Sequence, residues 1–233
     1  MPYGTTGRIL RVDLTRGSHR VEEPEESLYR TYFGGSALAC YYLLKERPAV
    51  RDPLGPDNLL VFAASPLVGS GIPGANRYTV AAVSPLTGFY GEGEAGGWWS
   101  PELKRAGFDA VLVEGRAEKP VYLWIHDGQV EIRDAAALWG RRTGDAQQLL
   151  AEEVGDPKAR VAAIGPAGEN RVRYACVVNA LKHTNGRGGM GAVMGSKNLK
   201  AVAVRGRGSL AFRDKPALQQ LIQWYAEHFM EHP

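Results

Sequence analysis

Hydrophobic and polar positions change period repeatedly along this 233-residue chain, and each change marks an element. Residues 8–14 alternate as a strand, Thr15-Arg16-Gly17-Ser18 reads as a turn, and residues 19–22 return as a second arm, so an antiparallel edge opens the domain. From residue 25 to residue 46 the apolar positions recur at helical spacing, interrupted at Gly34-Gly35. Glycine costs a helix interior about 1 kcal/mol relative to alanine, so the pattern predicts two helices with a break, the second capped by Ser36. A Pro/Gly/Asp loop over residues 51–58 leads into a buried strand over residues 59–64. Further on, residues 121–125 and 129–132 flank His126-Asp127-Gly128, an Asp-Gly hairpin signal. A helix capped by Thr143 then runs to Glu153 and ends at Gly155 and Pro157.

Several pieces occur twice. VFAASP from Val61 is echoed by VAAIGP from Val161, and Arg77-Tyr78 in NRYTVAAV by Arg173-Tyr174 in VRYACVV. AVLVEGR from Ala110 is answered by AVAVRGR from Ala201, and between these pieces stand two GxGxxG loops, at residues 91–96 and 186–191. The order is strand, arginine-tipped strand, glycine loop, short helix, strand, twice over. Such a repeat predicts a pseudo-symmetric domain presenting two similar polar loops to one ligand, the alternative being chance likeness between short Val/Ala strings. After Arg207 the pattern changes. Asp214, or Pro216 in the first turn, starts an amphipathic helix whose Leu218, Leu221, Ile222, Tyr225 and Phe229 share one face. A missing packing partner and a helix folded back on its own core both account for that stripe.

A hydrophobic content of 44% supports a sizeable core, enough for one large domain or one and a half. With 28 basic against 25 acidic side chains the net charge is only +3, which argues against nucleic-acid and lipid-surface partners. No apolar run approaches the roughly 20 residues of a membrane span. Met1-Pro2-Tyr3-Gly4 does not begin a signal peptide, so the expected compartment is the cytoplasm. Cys40 and Cys176 read as small buried residues, and two lone cysteines do not make a zinc or iron–sulfur site.

Glycine loops at helix N-termini bind anions because backbone N–H groups approach the ligand closely. Ser100-Pro101-Glu102 after the first loop reads as a helix start with serine at the cap, and Gly191-Ala192-Val193-Met194 leads into a short helix after the second. Arg77 and Arg187 are each placed to fork two N–H bonds onto a phosphate or a heterocycle carbonyl, or to stand as plain surface residues. A dinucleotide fold is disfavoured, because in neither copy does the loop follow its strand at once. No Walker A sequence occurs, since Gly195-Ser196-Lys197 puts the lysine out of place. Of the five histidines only His228 and His232 share a helical face, and both read as helix-end residues. Glu92 and Glu94 stand as candidate acid/base groups or metal ligands, or as solvated carboxylates. Trp98-Trp99 beside them reads as core in preference to a stacking platform.

Taken in order, GRILRVDLTRG, DPLGPDNLLVFAASPLVG, RYTVAAVSPLTG, ELKRAGFDAVLVEGRAEKPVYLW, VAAIGPAGENRVRYACVVN and GRGGMGAVMGSKNLKA resemble the N-terminal domain of the tungsten-containing aldehyde:ferredoxin oxidoreductases, from about Tyr3 to Arg207. The resemblance implies an α+β fold of duplicated mixed β-sheets with pseudo-two-fold symmetry, on which a tungsten bis-pyranopterin cofactor sits. It implies a tungstopterin-binding domain over residues 1–208, with 209–233 a linker and the start of a truncated helical domain. Carried over residue by residue, the cofactor contacts fall on Arg77, Glu94, Gly96, His183, Thr184, Gly186 and Arg187. Backbone carbonyls at Glu94 and Thr184 would help hold a Mg ion between the phosphates. The chain departs from the family where Glu94 stands for an asparagine, His183 for an arginine and Thr184 for an alanine. The family's iron–sulfur (4Fe–4S) cysteines and substrate pocket belong to following helical domains, so no catalytic residue is expected in this chain. The implied partners are those domains or a second subunit, and ferredoxin through the complete enzyme, with homo-oligomerisation left open. The rival reading is a non-enzymatic pterin- or nucleotide-binding module or assembly protein.

Overall fold

The computed structural model describes residues 3–46 and 50–231, so His232 of the histidine pair lies outside the described residues. The first half runs β1 (Ile9–Asp13), β2 (Ser18–Glu22), α1 (Glu26–Tyr32), α2 (Gly35–Glu46), β3 (Leu60–Ala64), β4 (Tyr78–Val83), β5 (Tyr90–Ala95), α3 (Trp99–Arg105) and β6 (Ala110–Glu114). The second runs β7 (Val121–His126), β8 (Gln129–Asp134), α4 (Thr143–Glu153), β9 (Arg160–Ala163), α5 (Pro166–Glu169), β10 (Val177–Asn179), β11 (His183–Asn185), α6 (Met190–Ser196) and β12 (Leu199–Arg205), with α7 (Lys215–His228) following.

Each half closes its own six-stranded sheet, ordered β2-β1-β6-β3-β4-β5 in one and β8-β7-β12-β9-β10-β11 in the other. In both, the hairpin's first strand pairs parallel with the last strand of the half (β1 with β6, β7 with β12), and the remaining pairings are antiparallel. The α+β duplication is therefore present, and it reaches further than the repeated strings: the opening hairpin and α2 are answered by β7–β8 and α4.

Pairing register also corrects the alignment of the motifs. Ala63 pairs with Thr79 and Ala110, and Ala163 with Val178 and Ala201, so these positions correspond. Counting back two residues, Arg77 corresponds to Cys176, while Arg173 lies in a turn ahead of β10. Across the next ladder Thr79 faces Glu94 and Val178 faces Thr184, so Glu94 matches Thr184 and Gly96 matches Gly186. The last glycine of the first GxGxxG thus corresponds to the first glycine of the second. Residues 91–95 are strand, not loop.

Near-continuous apolar runs in β3, β6, β9 and β12 are buried on both faces. The central core lies between the sheets, where Phe62, Val80, Val111, Leu123, Ile164 and Val202 enclose α3 and α6. Trp99 is fully buried there, its Nε1 donating to the Val202 carbonyl at 2.8 Å, whereas Trp98 is exposed. α1 and α2 cover the outer face of the first sheet, and α4 that of the second. Phe33 (φ 55°) and Gly35 (φ 54°) make the break between α1 and α2, which leaves Ser36 inside α2 and not at its cap. Thr143 is likewise the first residue of α4, and Ser100 and Pro101 lie within α3 behind Trp98. The Asp127-Gly128 turn has both φ angles positive (45° and 84°), as a tight hairpin demands. Cys40 and Cys176 are half-buried free thiols, not core residues.

Asp214 caps α7 by accepting from the Ala217 N–H at 2.9 Å. Ile222 rests on Gly71 and Leu210 on Gly69, yet α7 buries no residue, and Leu221 and Phe229 stay 49% and 51% exposed. No helix among the described residues is long and apolar enough to cross a membrane.

Three buried lysines, Lys104, Lys197 and Lys200, satisfy loop carbonyls and are structural. Lys104 donates to the carbonyls of Gly4, Ser65 (3.1 Å) and Pro66 (3.3 Å), tying the N-terminal segment to the β3–β4 loop. Burial pulls its ammonium down to about 8 from an ordinary 10.5. The native chain therefore releases this proton before the unfolded chain does. Between those values the unfolded state holds more protons and stability should rise with pH; below about 8 both states are protonated and the term is flat. Denaturant midpoints across that window should climb in the wild type and climb less in Lys104→Met; parallel profiles would exclude this assignment.

Candidate functional site

At one end of the domain the edge strands of the two sheets, β5 and β11, come together. Glycine makes this possible: a Cβ on Gly93 would lie 2.9 Å from the Asn185 carbonyl carbon and 3.2 Å from the Arg187 nitrogen. The glycines of β5 thus admit the other half of the protein, a packing role that the anion-loop reading did not anticipate. Two asparagines bridge the junction. Asn185 Nδ2 donates to the carbonyl of Gly93 at 2.8 Å, and Asn179 Nδ2 to Tyr78 Oη at 3.0 Å and the Gly96 carbonyl at 3.2 Å. Ser84 Oγ donates to the Gly188 carbonyl at 2.7 Å.

Over this junction opens a cavity of ≈ 480 Å³ lined by Arg77, Glu92, Gly93, Glu94, Thr184, Gly186 and Arg187. Strand alternation in β5 sends Gly91, Gly93 and Ala95 inward and turns Glu92 and Glu94 to the other face. Arg77 Nε meets Glu94 Oε2 at 3.2 Å, both side chains about half exposed. Glu92 is held by the Ser36 hydroxyl and by Tyr90 Oη, the latter at 2.6 Å. Burial, reinforced by the Glu92 carboxylate, pushes the Tyr90 phenol above its ordinary range. The Arg187 guanidinium is exposed and has no ion-pair partner among the described residues.

Five of the seven expected contacts, Arg77, Glu94, Thr184, Gly186 and Arg187, line this cavity. Gly96 and His183 do not. The half-buried His183 ring packs on Gly96 and Gly97, with its Cδ2 2.9 Å from where a Cβ on Gly97 would stand, so it forms a shoulder behind the lining. Of the two candidate anion loops, the second does open a helix: Gly189, at φ 75°, precedes α6, a short element of seven residues. The bridging pair Asn179 and Asn185, and the Ser36 and Tyr90 that hold Glu92, were not among the expected residues. The asparagines bond to partners about a hundred residues away, so nothing local in the sequence marked them. No cluster of three or more His, Cys, Asp or Glu suited to a metal ion occurs among the described residues.

A larger cavity of ≈ 790 Å³ lies beside α1 and α2, lined by Arg11, Glu22, Tyr42 and Glu46 among others. Its buried Arg11 pairs with Glu22 at 2.6 Å and Glu46 at 2.7 Å, which makes it an internally satisfied ion cluster joining β1, β2 and α2. The smaller cavity, where the two halves meet, is the better candidate for ligand chemistry.

Comparison with known proteins identifies the family. The family described as "Aldehyde ferredoxin oxidoreductase, N-terminal domain" matches residues 9–206. The tungsten-containing aldehyde ferredoxin oxidoreductase of Pyrococcus furiosus is 47% identical over 95% of this chain and 36% of its own length. Its counterpart in Pyrococcus abyssi is 46% identical over 99% of this chain and 38% of its own length. Among solved structures, the active-site complex BamBC of benzoyl coenzyme A reductase with 1,5-dienoyl-CoA superposes with a TM-score of 0.95 at 40% identity, covering 100% of this chain and 36% of that one. The chain thus spans little more than a third of the length of the relatives it matches. It belongs to the aldehyde ferredoxin oxidoreductase family, as that family's N-terminal domain.

Proposed function

We propose that this chain is the cofactor platform of a tungsten-containing aldehyde:ferredoxin oxidoreductase, and that a tungsten bis-pyranopterin is held over the cavity between β5 and β11. The observation that carries the reading is the pseudo-symmetry of the two strand edges: Glu94 and Thr184, both in the lining, occupy equivalent register positions, and Gly96, just outside the lining, matches Gly186 within it. A cofactor with two similar pterin arms suits two similar strand edges. The donor set suits it too, since Arg77 and Arg187 project planar forks that match phosphate oxygens and heterocycle carbonyls.

In the complete enzyme the cofactor supplies the oxidation of an aldehyde with water to a carboxylic acid, two electrons leaving through an iron–sulfur (4Fe–4S) cluster to ferredoxin. This chain's share is binding and orientation. Arg187 would anchor one phosphate and Arg77 a pterin or the second phosphate, and the backbone carbonyls of Glu94 and Thr184 would help hold a Mg ion. His183 sits behind the lining and acts by holding Gly96 and Gly97 in place. Residues 1–208 form the platform and residues 209–233 begin the connection to helical domains, on the same polypeptide or a second subunit, that carry the cluster and the substrate pocket. The assembly is assigned to the cytoplasm.

The likeness to benzoyl coenzyme A reductase supports a second reading, in which the same platform serves a reductase of aromatic acyl thioesters. The higher identity to the aldehyde enzymes supports the first reading. Purification together with the remaining domains from a tungsten-competent host, followed by metal and phosphate analysis and assays with aldehydes and with an aryl-CoA, separates the two. In that preparation Arg187→Ala should lower cofactor retention about tenfold, the value of one charge-assisted phosphate contact of about 1.4 kcal/mol or more. Unchanged retention would remove Arg187 from the site.

A further inference from the structure

We propose that Glu94 is a built-in counter-ion that occupies Arg77 when no anion is bound and must be displaced for a phosphate to enter, so that it sets the affinity of the site. The proposal rests on the reading of this cavity as a phosphate-bearing cofactor site. The cavity presents two guanidinium groups, Arg77 and Arg187, and two carboxylates, Glu92 and Glu94. The carboxylates differ in their ties. Glu92 is held by the hydroxyls of Ser36 and Tyr90, on the side of the cavity toward α2. Glu94 is held by Arg77 alone among the described residues, through one contact of 3.2 Å.

Half-exposed pairs of this kind are weak, worth roughly 0 to 1 kcal/mol, so the contact breaks readily when a better acceptor arrives. A phosphate offers Arg77 that acceptor. Entry nevertheless leaves the Glu94 carboxylate beside the incoming anion, and like charges a few ångströms apart in a partly hydrated cleft repel. Arg187, without a paired acid, makes the first attraction, and Arg77 joins only after Glu94 swings aside. Glu94 therefore lowers affinity for bare phosphate anions and penalises a multiply charged ligand more than a singly charged one.

The test uses the full chain, inorganic pyrophosphate as probe, and a chelator to exclude divalent cations, with binding followed by calorimetry at low ionic strength. Glu94→Gln keeps the shape of the side chain and, at an exposed strand position, the fold. It should bind pyrophosphate about five- to thirtyfold more tightly than the wild type, the effect of removing one negative charge at several ångströms in a watery cleft. The gain should shrink at about 1 M salt, where the screening length falls to about 3 Å, a response that a purely structural role for Glu94 would not produce. In an Arg77→Ala background the gain should fall but not vanish, since the competition for Arg77 is gone while the repulsion remains, and an undiminished gain there would overturn the counter-ion role. Equal binding by Glu94→Gln and wild type, with Arg187→Ala still weaker, would overturn the counter-ion role while leaving the phosphate site standing. Failure of both proteins to bind pyrophosphate would overturn the phosphate site and the counter-ion role with it.

Discussion

Replacing Gly189 with alanine is expected to destabilise the fold by more than about 3 kcal/mol. Gly189 sits at φ 75°, where a side chain strains the backbone, and its missing Cβ would lie 1.9 Å from the Arg173 carbonyl oxygen and 2.9 Å from that residue's carbonyl carbon. The turn carrying Arg173 has little room to yield. It is closed by the Ala175 N–H donating to Val172 at 2.8 Å, and α6 is docked on it by the Gly191 N–H donating to Ala175 at 2.9 Å. Gly17→Ala supplies the control, because Gly17 has a similar φ of 61° with nothing within 4 Å of its added Cβ. That change should cost only the left-handed strain, about 1 to 2 kcal/mol. Urea denaturation of the two variants separates conformational strain from collision, and equal losses would mean that the junction at Arg173 gives way after all.

A comparable loss is expected from Lys200→Met, about 3 to 5 kcal/mol, because it strands one member of a buried ion pair. Lys200 is fully buried, pairs with a Glu169 side chain only 5% exposed, and donates to the Arg141 carbonyl at 2.9 Å. Glu169 in turn accepts from the Gly140 N–H at 2.8 Å, so the pair ties β12 to α5 and to the loop before α4. Adding Glu169→Gln to Lys200→Met should recover part of the loss by removing the orphaned charge, although the Arg141 carbonyl still lacks its donor. A double variant no more stable than Lys200→Met would show that the carbonyl, not the carboxylate, dominates.

What could be read in the sequence followed from what repeats in one dimension. Alternation around Thr15–Ser18 and the Asp127-Gly128 turn announced both hairpins, because twist and φ > 0 demands are local. The echo of VFAASP in VAAIGP was sound, since both strings fill equivalent strands buried on two faces. The glycine loops misled for an equally physical reason. Glycine is demanded both where backbone meets a ligand and where backbone meets backbone, and Gly93 serves the second need against Asn185. Matching the GxGxxG strings by pattern then shifted the copies by five residues, an error that only the pairing of Glu94 with Thr79 and of Thr184 with Val178 reveals. Asn179 and Asn185 were invisible because their bonds span about a hundred residues to Tyr78, Gly93 and Gly96. Arg77 and Arg187 were already candidates from their places at a strand end and in a glycine loop, Thr184 came from the family resemblance, and the structure brings the three to one cavity.

The parallel pairings of β1 with β6 and of β7 with β12 carry a consequence for the order in which the chain folds. β1 ends at Asp13 and has no partner in the middle of its sheet until Glu114 has been made, and β7 likewise waits for Arg205. On the ribosome the hairpin β1–β2 stands idle while about a hundred further residues emerge, and loop closure of that length slows sheet formation. The first sheet can then close, but its inner face stays bare: Trp99 finds the Val202 carbonyl only when the final strand arrives. Synthesis of this domain thus ends with a single late step, the seating of β12, which completes the second sheet and seals the core of both.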